Sequence, residues 1–276
     1  MKTLILRNKP VAGRLLMVVI IALYILPLYV AMTNAFKPYE QIVKDPLGLP
    51  VPPTLANLGR AISEAKILNL YANSMIITVG SLTLLVLISS MLAFVFARRT
   101  SRVTNILYLA VLAGMMIPIQ SILIPSIQTL RVLKLLGTLP GLIFFYGGTY
   151  VPIGTFLYTE FMRTVPVSLE ESAAIDGATP ITTFFQIIFP LLKSCTATVI
   201  IFLGMWIWND FLPPMYILGS ARGRTITTGI YSAIGTYTTD WSLVFAAVLL
   251  ASLPIVILYL FLQRQFQSGL TAGSFK

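Results

Sequence analysis

Residues 67–97 read ILNLYANSMIITVGSLTLLVLISSMLAFVFA, without one Asp, Glu, Lys or Arg, and Arg98-Arg99 closes the run. A helix of about 20 apolar residues crosses a bilayer core, so this stretch is long enough to span. Five other charge-poor stretches accompany it: Leu15–Phe36, Val103–Leu130, Leu135–Thr159, Ser194–Asn209 continuing past Asp210 to Ala221, and Trp241–Gln263. Only helices and closed barrels satisfy their backbone in lipid. Barrel strands are about 10 residues long and alternate, which these runs do not. The expected fold is therefore all-α and integral to a membrane, with six transmembrane helices in one domain, 1–276. Composition agrees: 57% of residues are hydrophobic and 10% charged, against about 25% charged in a soluble domain.

Basic residues choose the sidedness of such a chain. With the N-terminus inside, inner segments hold eleven Lys and Arg and outer segments eight, and the Arg98-Arg99-x-x-Arg102 cluster lies inside. Both termini are expected in the cytoplasm. The net charge of +10 is read as span-flanking charge, not as a nucleic-acid surface. The first apolar stretch is longer than a signal-peptide core, so it is read as a retained span. The chain has no His and one cysteine, Cys195. That excludes His-based catalysis, His metal ligands, intrachain disulfides and Cys-cluster metal sites. There is no Gly-Lys pair, hence no P-loop.

The segment between the fourth and fifth stretches, 160–193, is the unusual one. It is expected inside, yet holds Glu160, Glu170, Glu171 and Asp176, four of the nine acidic residues. Ser168-Leu169-Glu170-Glu171 fits a capping box, with the Ser168 hydroxyl accepting from the Glu171 amide. A short helix from Leu169 to Asp176 follows, favoured by Ala173 and Ala174. Gly177 occupies the left-handed C-terminal position. Thr179-Pro180 caps and starts a second helix carrying Phe184, Phe185, Ile188 and Phe189, and Pro190 kinks its run into the fifth span. A plain connector needs only a few residues. A rigid, acidic two-helix module is what a docking element for another protein looks like.

At these residues the chain resembles a known family. Glu171-Ser172-Ala173-Ala174-Ile175-Asp176-Gly177, with Ile187-Ile188-Phe189-Pro190 downstream, is similar to the EAA loop of ABC importer permeases. The family pattern is E-A-A, a spaced Gly, nine residues, then I-x-L-P; Ser172 and Phe189 are mild departures. Trp208-Asn209-Asp210-Phe211, Thr239-Asp240-Trp241 and the tail Gly269-Leu270-Thr271-Ala272-Gly273-Ser274-Phe275-Lys276 resemble the carbohydrate-importer branch, in particular its maltose-transporter G-type subunit. The resemblance runs over nearly the whole chain. It implies a non-catalytic permease subunit in a prokaryotic cell membrane. Its partners are a second permease, two copies of a cytoplasmic ABC ATPase and an extracytoplasmic sugar-binding protein. ATP and Mg would belong to the ATPase, and this chain would bind no cofactor. Glu170, Glu171, Ser172, Ala173, Ala174, Asp176, Gly177 and Pro180 map onto the ATPase contact. Within the cytoplasmic tail 264–276, Gly269, Leu270, Thr271, Gly273 and Lys276 map onto a second one.

A charge inside a span marks function by default, and Asp210 is the one such case. With Trp206, Trp208 and Asn209 it offers aromatic faces and planar acceptors suited to sugar. The same residues also fit an interfacial aromatic belt, which is the plainer reading. Asn73, Gln120, Gln128, Tyr146 and Tyr150 read first as inter-helix hydrogen bonds. Gly147-Gly148 reads as a place of close helix approach or local unwinding. The competing reading of the whole chain is a stand-alone secondary transporter. Such proteins carry intramembrane carboxylates or a repeat with broken helices, whereas here there is one marginal carboxylate and no visible repeat.

Overall fold

The structure is a computed structural model, and it describes residues 2–64, 66–219, 223–236 and 240–272. Every regular element among them is helical. In chain order they are α1 (Lys2–Ala35), α2 (Tyr39–Lys44), α3 (Ala56–Ser63), α4 (Ile67–Arg98), α5 (Arg102–Ala113), α6 (Ile119–Val132) and α7 (Leu139–Met162). There follow α8 (Ser168–Ile175), α9 (Pro180–Thr183), α10 (Phe189–Leu191), α11 (Lys193–Asn209), α12 (Leu212–Ile217), α13 (Ile226–Thr236) and α14 (Trp241–Ala272). The chain divides into two compact units: residues 1–68 with 229–253, and residues 69–228 with 254–276.

Three helices among the described residues are long and apolar enough to cross a membrane: Gly13–Ala35 of α1, α4, and Trp241–Phe261 of α14. Two bent pairs raise the number to five: Arg102–Met116 against α6, at 104°, and Pro180–Leu191 against α11, at 73°. Length and composition thus do not reach the expected six. Helix α7, at 24 residues, is about 36 Å long. Its prolines, glycines, threonines and tyrosines dilute the apolar run.

The third stretch is not the single continuous helix expected. It breaks between Met116 and Ile119, where Pro118 lacks an amide donor and forces Ile117 into extended backbone, φ −87° and ψ 118°. Both halves pack on α7. The fifth stretch also departs from expectation. Its helix α11 begins at Lys193, after a bend at Leu192 that follows the π turn Phe184–Ile188 of the preceding loop, and runs only to Asn209. Asp210 is extended, ψ 145°, so the helix does not continue to Ala221.

In the first unit, the proline-rich segment 37–55 is held by side chains. Asn57 Nδ2 donates to the carbonyls of Ala35 and Lys37, at 3.0 and 2.8 Å. Lys37 is buried, with Nζ on the Asp45 carbonyl at 2.9 Å. Arg60 grips Glu64 and Asp240 at 2.9 and 2.7 Å, and Asp240 caps α14 by accepting from the Leu243 amide and the Ser242 hydroxyl. Burial pushes the Asp240 carboxyl up, but Ser242 and Arg60 outweigh it and hold it below its ordinary value. Glu64 is lowered by its hydrogen bond to Arg60. A lowered carboxyl contributes stability above its unfolded pKa of about 4 and loses it as pH falls through the folded value. Purified protein should therefore melt lower on acidification below pH ~4, and Asp240→Asn should shrink that decrement. The Arg60–Asp240 share is below about 1 kcal/mol, because the pair is part-exposed. An unaltered acid decrement in the variant would remove the pair from the account.

The core of the second unit is built by α4, α6, α7, α11 and α12, with Leu85, Leu142, Tyr146, Tyr158 and Leu203 fully buried. Helices α4 and α7 meet through glycine. A Cβ on Gly147 would lie 2.5 Å from Leu84, and one on Gly154 would lie 2.5 Å from Ser89 Oγ. The close approach expected at Gly147-Gly148 therefore belongs to Gly147. At the start of α7 the constraint is backbone. A Cβ on Gly141 would sit 2.2 Å from the Leu135 carbonyl oxygen, which Thr138 Oγ1 holds at 2.7 Å. Gly141→Ala is expected to cost about 1–3 kcal/mol by overpacking. Thermal unfolding in detergent measures this, and an unchanged melting temperature would contradict it.

Candidate functional site

The segment after α7 folds as helix, glycine turn, helix. Helix α8 occupies Ser168–Ile175, one residue earlier at each end than the sequence suggests. The expected capping box does not form. Val167 is already in the helical region, φ −65° and ψ −27°, and its carbonyl accepts from the amides of Glu170 and Glu171 at 2.9 and 3.2 Å. Ser168 is therefore the first helical residue, one position too late to cap, and its carbonyl receives the Ser172 hydroxyl at 2.9 Å.

The C-terminal end is as the sequence reads. Gly177 has φ +81°. The Ala178 amide donates to Ala173 O at 2.9 Å and the Gly177 amide to Ala174 O at 3.1 Å. This pair of bonds is the Schellman motif, which needs the left-handed residue between helix and exit. Thr179 then caps α9 by accepting from the Thr182 amide at 3.2 Å, with Pro180 in the first turn.

Charge and apolar surface are sorted around this turn. Glu171, Ser172, Ala174, Asp176 and Pro180 are exposed, whereas Ala173 is buried. Ile175 is 86% exposed, and Ile181 and Phe185 are also exposed. Exposed apolar side chains thus stand next to exposed carboxylates at this turn. Glu170 behaves differently from its neighbours. Its carboxylate turns back onto Arg98 at the end of α4, at 2.6 Å.

The second candidate group, Trp206 to Asp210, is not one cluster. Trp206 is 43% exposed and lines a cavity of about 700 Å³. The cavity sits in the angle of the α5–α6 break, between Met115, Ile122, Ser126 and Thr129 on one side and Phe144, Gly148 and Tyr150 of α7 on the other. Trp208 is 4% exposed, with its ring 6.2 Å from Tyr71. Asn209 bonds back to the Met205 carbonyl at 2.9 Å. Asp210 is a joint: Oδ2 accepts from Tyr146 Oη at 3.1 Å, Oδ1 from the Phe211 amide at 2.8 Å, and its carbonyl from Thr227 Oγ1 at 2.7 Å. Tyr146 and Asn73 each make a long-range hydrogen bond, but to non-helical partners: Tyr146 to Asp210, and Asn73 to the Arg224 carbonyl at 3.1 Å.

Rings connect the cavity wall to that joint. Phe202, Trp206, Tyr150 and Tyr146 follow one another with centroids 4.8, 5.8 and 5.9 Å apart, and the two tyrosines are stacked at 6°. Tyr146 and Tyr150 are four residues apart and share a face of α7. That spacing was the available signal for Tyr150 as a cavity residue. Of the tail residues, Gly269, Leu270 and Thr271 lie within the helical backbone of α14. Gly273 and Lys276 lie outside the described residues, as does Thr239.

Comparison with known proteins places this architecture. Residues 86–271 match the family described as the binding-protein-dependent transport system inner membrane component. A probable starch degradation products transport system permease protein of Thermoanaerobacterium thermosulfurigenes is 34% identical over 94% of each chain. A multiple sugar-binding transport system permease protein of Streptococcus mutans is 35% identical over 92% of each. The melibiose/raffinose/stachyose import permease protein of Bacillus subtilis is 32% identical over 95% of each. The fold is similar to that of a chain in the crystal structure of a bacterial ABC transporter that imports alginate. Their TM-score is 0.83 at 19% identity, covering 94% of this chain and 97% of that one. The family match covers more than half of the chain and these relatives nearly all of it, so the chain belongs to the binding-protein-dependent transport system inner membrane component family.

Proposed function

We propose that this chain is the membrane-spanning permease subunit of an ATP-driven, binding-protein-dependent importer of a sugar or oligosaccharide. It lines half of the translocation pathway, and a second permease supplies the other half. Both termini face the cytoplasm. Two copies of an ABC ATPase bind beneath, and an extracytoplasmic binding protein delivers the sugar. Phosphoryl chemistry, ATP and Mg reside on the ATPase. The observation that carries the reading is the capped α8–α9 turn, whose exposed Ile175 is framed by Glu171 and Asp176. A short helix fixed at both ends transmits rigid-body motion, and ATP binding on a partner then biases one conformation of the bundle. Tail residues Gly269 to Lys276 form a second ATPase contact. The sugar class rests on the named relatives and on Trp206 and Tyr150 at the cavity wall, whose ring faces suit the apolar faces of a pyranose.

The test is purification of the tagged chain in mild detergent with mass spectrometry of what accompanies it. A P-loop ATPase and a second multi-span permease are the expected companions. A chain that emerges alone after crosslinking in native membrane would overturn the proposal and favour a transporter working by itself.

A further inference from the structure

Arg98 entered the sequence reading only as a topological anchor. In the structure all three of its guanidinium nitrogens are engaged, and on three different partners. Nε donates to Glu170 Oε1 at 2.6 Å, Nη1 to the Met162 carbonyl at 3.2 Å, and Nη2 to the Val165 carbonyl at 2.9 Å. The Arg98 and Glu170 side chains are 13% and 16% exposed. Met162 and Val165 lie at and just beyond the end of α7, where carbonyls lack helical partners. One side chain thus ties the last turn of α4 to the end of α7 and to the first turn of α8.

One turn back on α4, Phe94 packs tilted on Phe184 with centroids 5.4 Å apart, and Phe184 is buried in the π turn of the second loop helix. Residues 94 and 98 share a face of α4. That face therefore grips both arms of the helix–turn–helix, the first by charge and the second by ring packing. Further along, α4 packs on α7 through Gly147 and Gly154, and α7 carries Tyr150 at the cavity wall. Close-packed elements in this arrangement move together rather than deform.

We infer that Arg98 is a positioning residue for energy coupling: its guanidinium clamps α8 through Glu170 to α4 and α7, so that movement of the loop becomes movement of those helices. The inference rests on the proposed ATPase docking and adds the link on this chain's side of that contact. The clamp is geometric as well as electrostatic. A planar guanidinium reaches three acceptors in fixed directions, and a lysine ammonium does not reproduce that fork.

The experiment uses the assembled transporter in proteoliposomes, with Arg98→Lys, which keeps the charge and loses the fork, and Arg98→Gln, which loses both. Three quantities are read: ATPase retained on the membrane complex, ATP hydrolysis, and sugar taken up per ATP hydrolysed. The expected result is normal ATPase retention with continuing hydrolysis. Uptake per ATP falls about tenfold or more in both Arg98 variants. A change in fold stability alone lowers ATPase retention and hydrolysis together and leaves the uptake per ATP unchanged. An unchanged ratio, or loss of ATPase retention, in the Arg98 variants overturns the inference. The unaltered complex separates the two levels: if it retains no ATPase, the proposed function itself has failed.

Discussion

Gly177→Val is expected to abolish uptake while leaving the chain inserted and the long helices intact. No heavy atom lies within 4 Å of a Cβ built at Gly177, so the side chain has room. The obstacle is the backbone, at φ +81°. A left-handed residue costs an L-amino acid about 1–2 kcal/mol, and a β-branched one is a genuine outlier there. Relieving the strain means rotating out of the left-handed region. That breaks the paired bonds of Ala178 to Ala173 and Gly177 to Ala174 and re-aims Ile175 relative to α9. A docking tip needs its direction more than its stability, so a modest conformational cost produces a large functional one. Gly177→Asn is the control, because asparagine visits the left-handed region with little penalty. It should keep most uptake. Uptake of radiolabelled sugar with membrane abundance followed in parallel decides the matter. Full transport by the valine variant would mean that the turn does not direct docking.

How much of this was legible beforehand depended on whether the information was local. The exit from α8 was readable because a Schellman end is specified by one glycine and its immediate neighbours, and Thr179-Pro180 is equally self-contained. The start of α8 misled for a complementary reason. Ser168 and Glu171 have capping-box spacing, but Val167 had already turned helical, and Glu170 was claimed by an arginine 72 residues away. Prolines were ambiguous in the same way. Pro125, Pro152 and Pro254 lie inside continuous helices, whereas the backbone breaks at Pro118. Charge-free length alone does not separate these cases, since neighbouring helices decide which freed backbone groups are re-satisfied. The cavity followed from that break, so it was invisible wherever the break was. Arg98 was noticed only for its sign, because its three acceptors come from two other segments.

Trp206 and Trp208 are two residues apart, and their replacement should have opposite consequences. On a helix such positions do not share a face. Trp206 looks into the 700 Å³ cavity beside Tyr150, while Trp208 is buried against Tyr71. Trp208→Ala removes a large side chain from packed surroundings and is expected to cost about 3–5 kcal/mol, seen as a lower melting temperature and less protein in the membrane. Trp206→Ala removes an exposed ring and should leave melting nearly unchanged. Its cost should fall on transport, because a pyranose face passing the Trp206 and Tyr150 rings of the cavity wall loses one of them. An aromatic contact of about 1 kcal/mol, lost where sugar must be held away from water, implies about a fivefold or larger fall in uptake at low sugar. Trp206→Phe, which keeps a ring, should recover most of it. If Trp206→Ala transports normally while Trp208→Ala destabilises, the cavity is closed by packing with the second permease and sugar passes along the partner's wall. If both variants only destabilise, these rings are core, and the sugar path must be sought on other faces of α7 and α11.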